Sequence, residues 1–440
     1  MIIRVCLAAA LLTPAAATAQ GNPGPYGKLF GRAPASSAGQ EHTAVEARAS
    51  IGASYDDALL APEGSPADTP SQSGVSGDGS MFVSLDHRSS VFSVSLSGGA
   101  GRGEYFTQPS SYGTNQYFAN ALVSAKLTTR FEAGATAAYT HSPAYQFFSG
   151  FGHGPIPQGN DNAVNPDYAE LPFNAYATQM LENDNLGATA SLKARITEKS
   201  SLDLSVTHNQ TKFAQQPDSD MTIRGYRGTW RWPFRRDLGV HASYGQDHVD
   251  LRAPDRLDYD STLIDVGVDF NRAFSVARRT TLGFNTSTGL VKQNGYEGEF
   301  RINGGVSLAK SFRRTWYASV QLTRGTSFIP GFTEPLYSDT FTAGLGGMFS
   351  RRIDFSVMAS ASRGQSVFSD ASGFATYTGT SQLSFALGRH ISAYGSYFTY
   401  WYEVPPDAFT LTVPGTMARQ VVSAGLRFYL PVYNKERRGL

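Results

Sequence analysis

The side chains nearest to a catalytic grouping in this 440-residue chain are Asp247, His248 and Asp250, where an imidazole between carboxylates could take and return a proton. A hydrolase would also need a serine in reach of a histidine, or paired acids beside one. The eight histidines, at 42, 87, 141, 153, 208, 241, 248 and 390, form no such set. Asp255, Asp258 and Asp260 extend the acidic stretch and could ligate a hard divalent cation through oxygen, or bridge one to lipopolysaccharide phosphates. Their spacing fits no calcium-binding loop, and a solvated loop at a strand end accounts for them without a metal. The run Gly98 to Gly103 lacks the Lys-Ser/Thr of a phosphate loop and sits in a strand-like stretch, where small residues ease twist. Neither an enzyme, a cofactor nor a metal site is implied.

A different set of polar groups recurs regularly, at every second position between apolar residues, and these need strands to place them. From about Met417 to Leu430, Val422, Ala424, Leu426, Phe428 and Leu430 alternate with Ser423, Gly425, Arg427 and Tyr429. At the other end Val45, Ala47, Ala49, Ile51, Ala53 and Tyr55 alternate with Glu46, Arg48, Ser50, Gly52 and Ser54. The pattern recurs near 79–87, 90–105, 114–128, 130–141, 184–197, 200–213, 221–233, 236–250, 257–271, 278–291, 298–311, 314–327, 336–350, 352–363, 374–388, 390–402 and 415–431. So many two-sided strands hide their apolar faces together only as a closed barrel in lipid. An all-β, antiparallel transmembrane barrel of eighteen strands is therefore expected, with sixteen as the alternative.

Composition agrees. Only 17% of residues are charged, against about 25% in typical soluble domains, while Gly (45), Phe (28) and Tyr (22) are abundant. With 37 basic and 36 acidic side chains there is no basic excess for nucleic acid. Arg4, the apolar run Val5 to Leu12 and the small residues Ala17-Thr18-Ala19 read as a signal peptide over 1–19, which contains the only cysteine, Cys6. Residues 20–42 read as a flexible periplasmic lead-in, 43–431 as the barrel and 432–440 as a basic periplasmic tail. Localisation in a Gram-negative outer membrane follows, with short turns in the periplasm and long loops outside. Its partners there would be membrane lipid, lipopolysaccharide and the barrel assembly machinery.

Strand parity then predicts what lines the lumen. Arg48, Lys126, Lys193, Arg195, Arg227, Arg231, Arg301, Arg419 and Arg427 fall on the polar face together with Glu46, Glu132, Asp203, Asp265, Asp269 and Asp354. Charges of both signs hydrate an interior and set up a transverse field, which suits a water-filled path; the same charges could lace the lumen shut. The longest insert, 142–183, carries Phe147, Phe148 and Tyr176, and is expected to fold inward as a constriction whose rings could touch sugars. Two girdles of aromatics are expected at the ends of the apolar band, with Tyr55, Tyr105, Tyr139, Phe213, Tyr244, Phe300, Phe328, Phe341, Tyr377 and Trp401 at the outer one.

The run Ala53-Ser54-Tyr55-Asp56-Asp57 and the closing Ala424-Gly425-Leu426-Arg427-Phe428 resemble a family of β-barrel porins of Gram-negative bacteria, often encoded near exopolysaccharide or capsule genes. The chain departs from that family at Ala58, where Asn is usual, and in continuing past Leu430. The resemblance implies a passive pore for hydrophilic solutes, or passage of a polysaccharide alongside periplasmic export proteins. A non-conducting structural or adhesion barrel is the alternative.

Overall fold

The computed structural model describes residues 41–59, 72–106, 111–143, 181–235, 238–252, 257–273, 280–293, 297–312, 316–332, 334–368, 373–404 and 415–437. They form β1 (Glu41–Leu59), β2 (Gln72–Arg88), β3 (Phe92–Phe106), β4 (Ser111–Lys126), β5 (Phe131–Ser142), β6 (Asn183–Arg195), β7 (Ser201–Phe213), β8 (Met221–Pro233), β9 (Leu238–Leu251), β10 (Leu257–Ala273), β11 (Thr280–Gln293), β12 (Glu299–Phe312), β13 (Trp316–Ser327), β14 (Leu336–Met348), β15 (Ile353–Ser366), β16 (Gly373–Ala386), β17 (Ile391–Glu403) and β18 (Thr416–Arg437). Each strand pairs antiparallel with its chain neighbours, and β1 pairs with both β2 and β18, so one 18-stranded sheet closes on itself. A closed sheet has no edge, which is what lipid demands of a strand structure.

Alternation decides which way each side chain points. In β1 the even-numbered residues face the lumen, while Ile51 and Tyr55 are more than half exposed on the outside. In β18 the odd-numbered residues face inward, with Arg419 and Arg427 buried and Val422, Phe428 and Leu430 exposed outward. The exposed outer face is apolar and the buried inner face is Ser, Thr, Asp and Arg, the reverse of a soluble fold.

Strands join by short turns at one end, stitched by hydroxyl side chains. Ser89 Oγ accepts from the Phe92 N–H at 3.0 Å, and Thr128 Oγ1 and Thr197 Oγ1 accept from Phe131 N at 3.1 Å and Ser200 N at 3.0 Å. Longer connections lie at the other end.

The structure extends the sequence reading at three places. β2 starts at Gln72, not near residue 79, because its first half, Gln-Ser-Gly-Val-Ser-Gly-Asp-Gly-Ser, is too poor in large residues to alternate visibly. β18 runs to Arg437 and pairs Lys435 with Thr43 and Arg437 with Glu41, so most of the expected tail, and the last residues of the lead-in, belong to the wall. Of the aromatics assigned to the outer girdle, Tyr55, Tyr139, Tyr244, Phe300, Phe341 and Tyr377 are exposed outward, whereas Tyr105 and Phe213 are buried and Phe328 packs with an inner cluster. Tyr105 and Phe213 sit on the inward parity of β3 and β7. Phe328 follows the end of β13 and turns in with its loop.

Candidate functional site

The lumen carries every inward polar group, so it is the candidate site. Two charged stretches of wall face one another across it. On the side of β5 to β10, Lys193 is flanked in register by Glu132 and Asp203. Arg231 pairs with Asp203, two strands meeting through buried side chains, and His241 Nε2 lies 3.1 Å from Asp265 Oδ2. Arg227 lies on the same face of β8, one strand from His241 of β9 and two from Asp265 of β10.

On the side of β16 to β2, Arg419 Nε donates to both oxygens of Asp56, at 3.2 and 3.0 Å, and its Nη2 adds a further bond to Oδ2. The pair locks the last strand to the first. Beside it the Gln420 N–H donates to Asp57 Oδ1 at 2.6 Å, so both acids of the Tyr-Asp-Asp run stitch the closure. Lower in the wall Arg48 donates to Glu46 at 3.2 Å and lies 5.4 Å from the Phe82 ring centre. Arg427 donates to Ser384 Oγ at 3.2 Å and to Gln382 Oε1 at 3.3 Å, with its guanidinium 3.9 Å from the Tyr394 ring centre. That stacking requires bare backbone: a Cβ on Gly52 would meet the Tyr394 hydroxyl at 2.5 Å, and one on Gly425 would meet its ring at 2.7 Å.

The Arg231–Asp203, His241–Asp265 and Arg419–Asp56 pairs join neighbouring strands, Arg48–Glu46 lies within β1, and none of the four crosses the lumen. Arg301 points inward too and donates to the Val367 carbonyl at 3.0 Å. Lys126 and Arg195 are exposed at the short-turn ends of β4 and β6. Asp269 belongs to β10, but its side chain lies outside the described residues, as do Phe147, Phe148 and Tyr176. Asp247, His248 and Asp250 are divided by parity: Asp247 is buried in the lumen while His248 and Asp250 are exposed outside, where His248 Nδ1 lies 3.0 Å from Asp260 Oδ1.

Among the described residues, the loop after β13 turns inward. Ile329-Pro330-Gly331-Phe332 makes a turn in which the Phe332 N–H donates to Ile329 O at 3.2 Å, with Pro second and Gly331 third at φ 85°. Those are the residues a type II turn asks for, since only glycine takes that φ freely. The turn drives Ile329 and Phe332 into one buried cluster with Leu336, with Leu181 and Phe213 beside β6 and β7, and with Phe374, Phe398, Tyr400, Tyr402 and Val421 of β16 to β18. Phe328 goes the other way, into a cluster with Met221, Val249, Leu251 and Tyr259 of β8 to β10, where Phe368 stacks on Tyr259 at 6.1 Å. An apolar layer thus lies toward the long-loop end of the lumen, level with the Arg419–Asp56 pair and above Arg48, Arg231 and Arg427. The row Phe398, Tyr400, Tyr402 was open to sequence reading through the even parity of β17; the direction of the loop was not.

No known family profile matches the chain, and no curated protein matches it. Solved structures that it resembles include OccAB4 of Acinetobacter baumannii, 10% identical with a TM-score of 0.39, covering 90% of this chain and 98% of that one. OpdL of Pseudomonas aeruginosa is 11% identical with a TM-score of 0.42, covering 89% and 99%. OccK2 (OpdF) of the same organism, solved in complex with glucuronate, is 8% identical with a TM-score of 0.43, covering 89% and 98%. At such values the likeness carries nothing about residues or cargo.

Proposed function

We propose that the chain is an outer-membrane porin that passes small hydrophilic solutes passively, inserted with its short turns in the periplasm. The observation that carries this is the inversion of polarity: an apolar, exposed outer band around a closed sheet, and an inner face of hydroxyls and ion pairs. Its surroundings are then membrane lipid and lipopolysaccharide, reached by way of the signal peptide and the assembly machinery. Against a polysaccharide path with periplasmic export proteins stands the apolar layer built by Ile329 and Phe332, which would have to leave for a polymer chain to thread.

Purified barrel should migrate faster unboiled than boiled on denaturing gels, because its ladder closes without an edge. It should also give discrete conductance steps in planar bilayers. A barrel that migrates identically in both states and conducts nothing would overturn the proposal.

The loop sets the width of the path. Replacing Ile329 and Phe332 together by Ser should raise single-channel conductance about twofold or more, since hydrophobic constrictions oppose water and ions. The barrel should still assemble, because the strand ladder does not depend on that loop. Unaltered conductance in a correctly folded double variant would show that the path avoids this layer.

A further inference from the structure

The inner face is not charged all the way round. On β12 to β15 the inward residues run from Glu299 and Arg301 at the long-loop end to Asp354 at the short-turn end, and among the described residues between those ends none is charged. Asp354 itself is only 3% exposed. This stretch lies between the two charged walls, and hydroxyl, amide and glycine residues make up most of it.

Exposure sets the stretch apart as well. Ser307, Ala309, Ser319 and Gln321 point into the lumen and are exposed there. They form one patch, because Ser307 pairs in register with Gln321 and Ala309 with Ser319, and Thr342 and Gly344 continue it on β14. Ser327, further up β13, is the register partner of Leu336 in the apolar layer, so the patch sits beneath that layer. The ion pairs of the other walls are drawn in: Arg231 and Asp203 are 9% and 6% exposed at the side chain, His241 and Asp265 8% and 12%.

The backbone keeps this side of the lumen clear. Tyr317 is the largest inward side chain of β13, and it lies down along the wall: a Cβ at Gly346, its register partner, would meet the ring at 2.7 Å. A solute moving past the patch therefore meets hydroxyl and amide groups, which both donate and accept hydrogen bonds. They can exchange with the hydroxyls of an uncharged solute one at a time, whereas an ion finds no counter-charge there to replace its water.

We propose that the solute path runs along the uncharged inner face of β12 to β15, with Ser307, Ser319 and Gln321 as its specificity-determining contacts, and that it favours neutral polyhydroxylated solutes over ions of either sign. It rests on the channel reading and adds the class of solute. The charged walls brace the barrel on either side, and the fields of their pairs close between neighbouring strands.

Selectivity of the whole barrel in planar bilayers tests it. In a potassium chloride gradient the native channel should show a cation-to-anion permeability ratio within about threefold of one. Gln321→Glu should move that ratio toward cations by about threefold or more, and Gln321→Lys toward anions by as much. Ser319→Cys supplies the charge after folding, since the only native cysteine, Cys6, falls in the expected signal peptide. A negatively charged methanethiosulfonate added to that channel should reproduce the shift of Gln321→Glu. Liposomes carrying the native barrel should swell about threefold or more faster in galactose than in potassium galacturonate of equal osmolarity. A native ratio beyond about threefold in either direction, equal swelling in the two solutes, or a selectivity that neither the Gln321 variants nor the modified Ser319→Cys alters overturns the uncharged path and leaves the channel standing. Absence of both conductance and swelling in the native barrel overturns both.

Discussion

Replacing Arg419 by Ala should destabilise the barrel by about 3–5 kcal/mol, because it strips one partner from a buried ion pair. Arg419 and Asp56 are 2% and 3% exposed at the side chain, so the carboxylate left behind has little water to turn to. It would keep the Ala58 N–H at 3.0 Å and little else. The loss falls at the long-loop end of the joint between the first and last strands, where Asp56–Val421 is the last register pair of the ladder. Urea unfolding in vesicles, followed by tryptophan fluorescence, would measure it. Converting both residues to apolar ones of similar size, Asp56→Leu with Arg419→Met, should recover most of the stability, since removing a whole buried pair is often nearly neutral. A loss below about 1 kcal/mol for Arg419→Ala would mean that the pair is well hydrated from the lumen.

The second large effect tests the two faces of one strand. Leu96 lies on β3 between the outward aromatics Phe92 and Phe106, four residues in from Phe92, and is 44% exposed. Ser97 points the other way, with Ser84 and Asn120 as its register partners. Leu96→Arg should cost about 2–4 kcal/mol, the penalty for a guanidinium near the middle of a bilayer, while Ser97→Arg should cost far less because the lumen already holds arginines. Similar losses at the two positions would place lipid on neither face, or on both.

Much of this could be read from the residues alone, and the reason is the simplicity of the environment. A wall with lipid on one side and polar contents on the other imposes a period of two on nearly every strand, so the eighteen strands and the inward parity of Arg48, Arg231, Arg419 and Arg427 follow from alternation. Parity was also sufficient for Phe213, whose odd number on β7 puts it with Asp203 and Thr211. Its aromatic character pointed to the girdle, and register won. What alternation could not convey was anything set by packing across the lumen. The stretch Phe328-Ile329-Pro330-Gly331-Phe332 is legible as a tight turn, but whether it leans outward or inward depends on apolar partners as distant in the chain as Leu181 and Val421. Nor does a strand pattern reveal where two neighbours stop pairing, as β12 and β13 do above Gly304.

The joint made by β1 and β18 has a kinetic consequence. Asp56 and Arg419 are 363 residues apart in the chain, whereas the hairpins form between near neighbours. Bringing such distant ends together costs about 5 kcal/mol of loop-closure entropy, which must be spent before the last ladder returns any of it. Until then both outermost strands present raw hydrogen-bonding edges, and the sheet is open to addition by any other strand. Closure is therefore the slow and vulnerable step expected of assembly. An edge on a helper protein that borrowed β1 or β18 during the wait would shorten it, handing the strand over only when its true neighbour arrived.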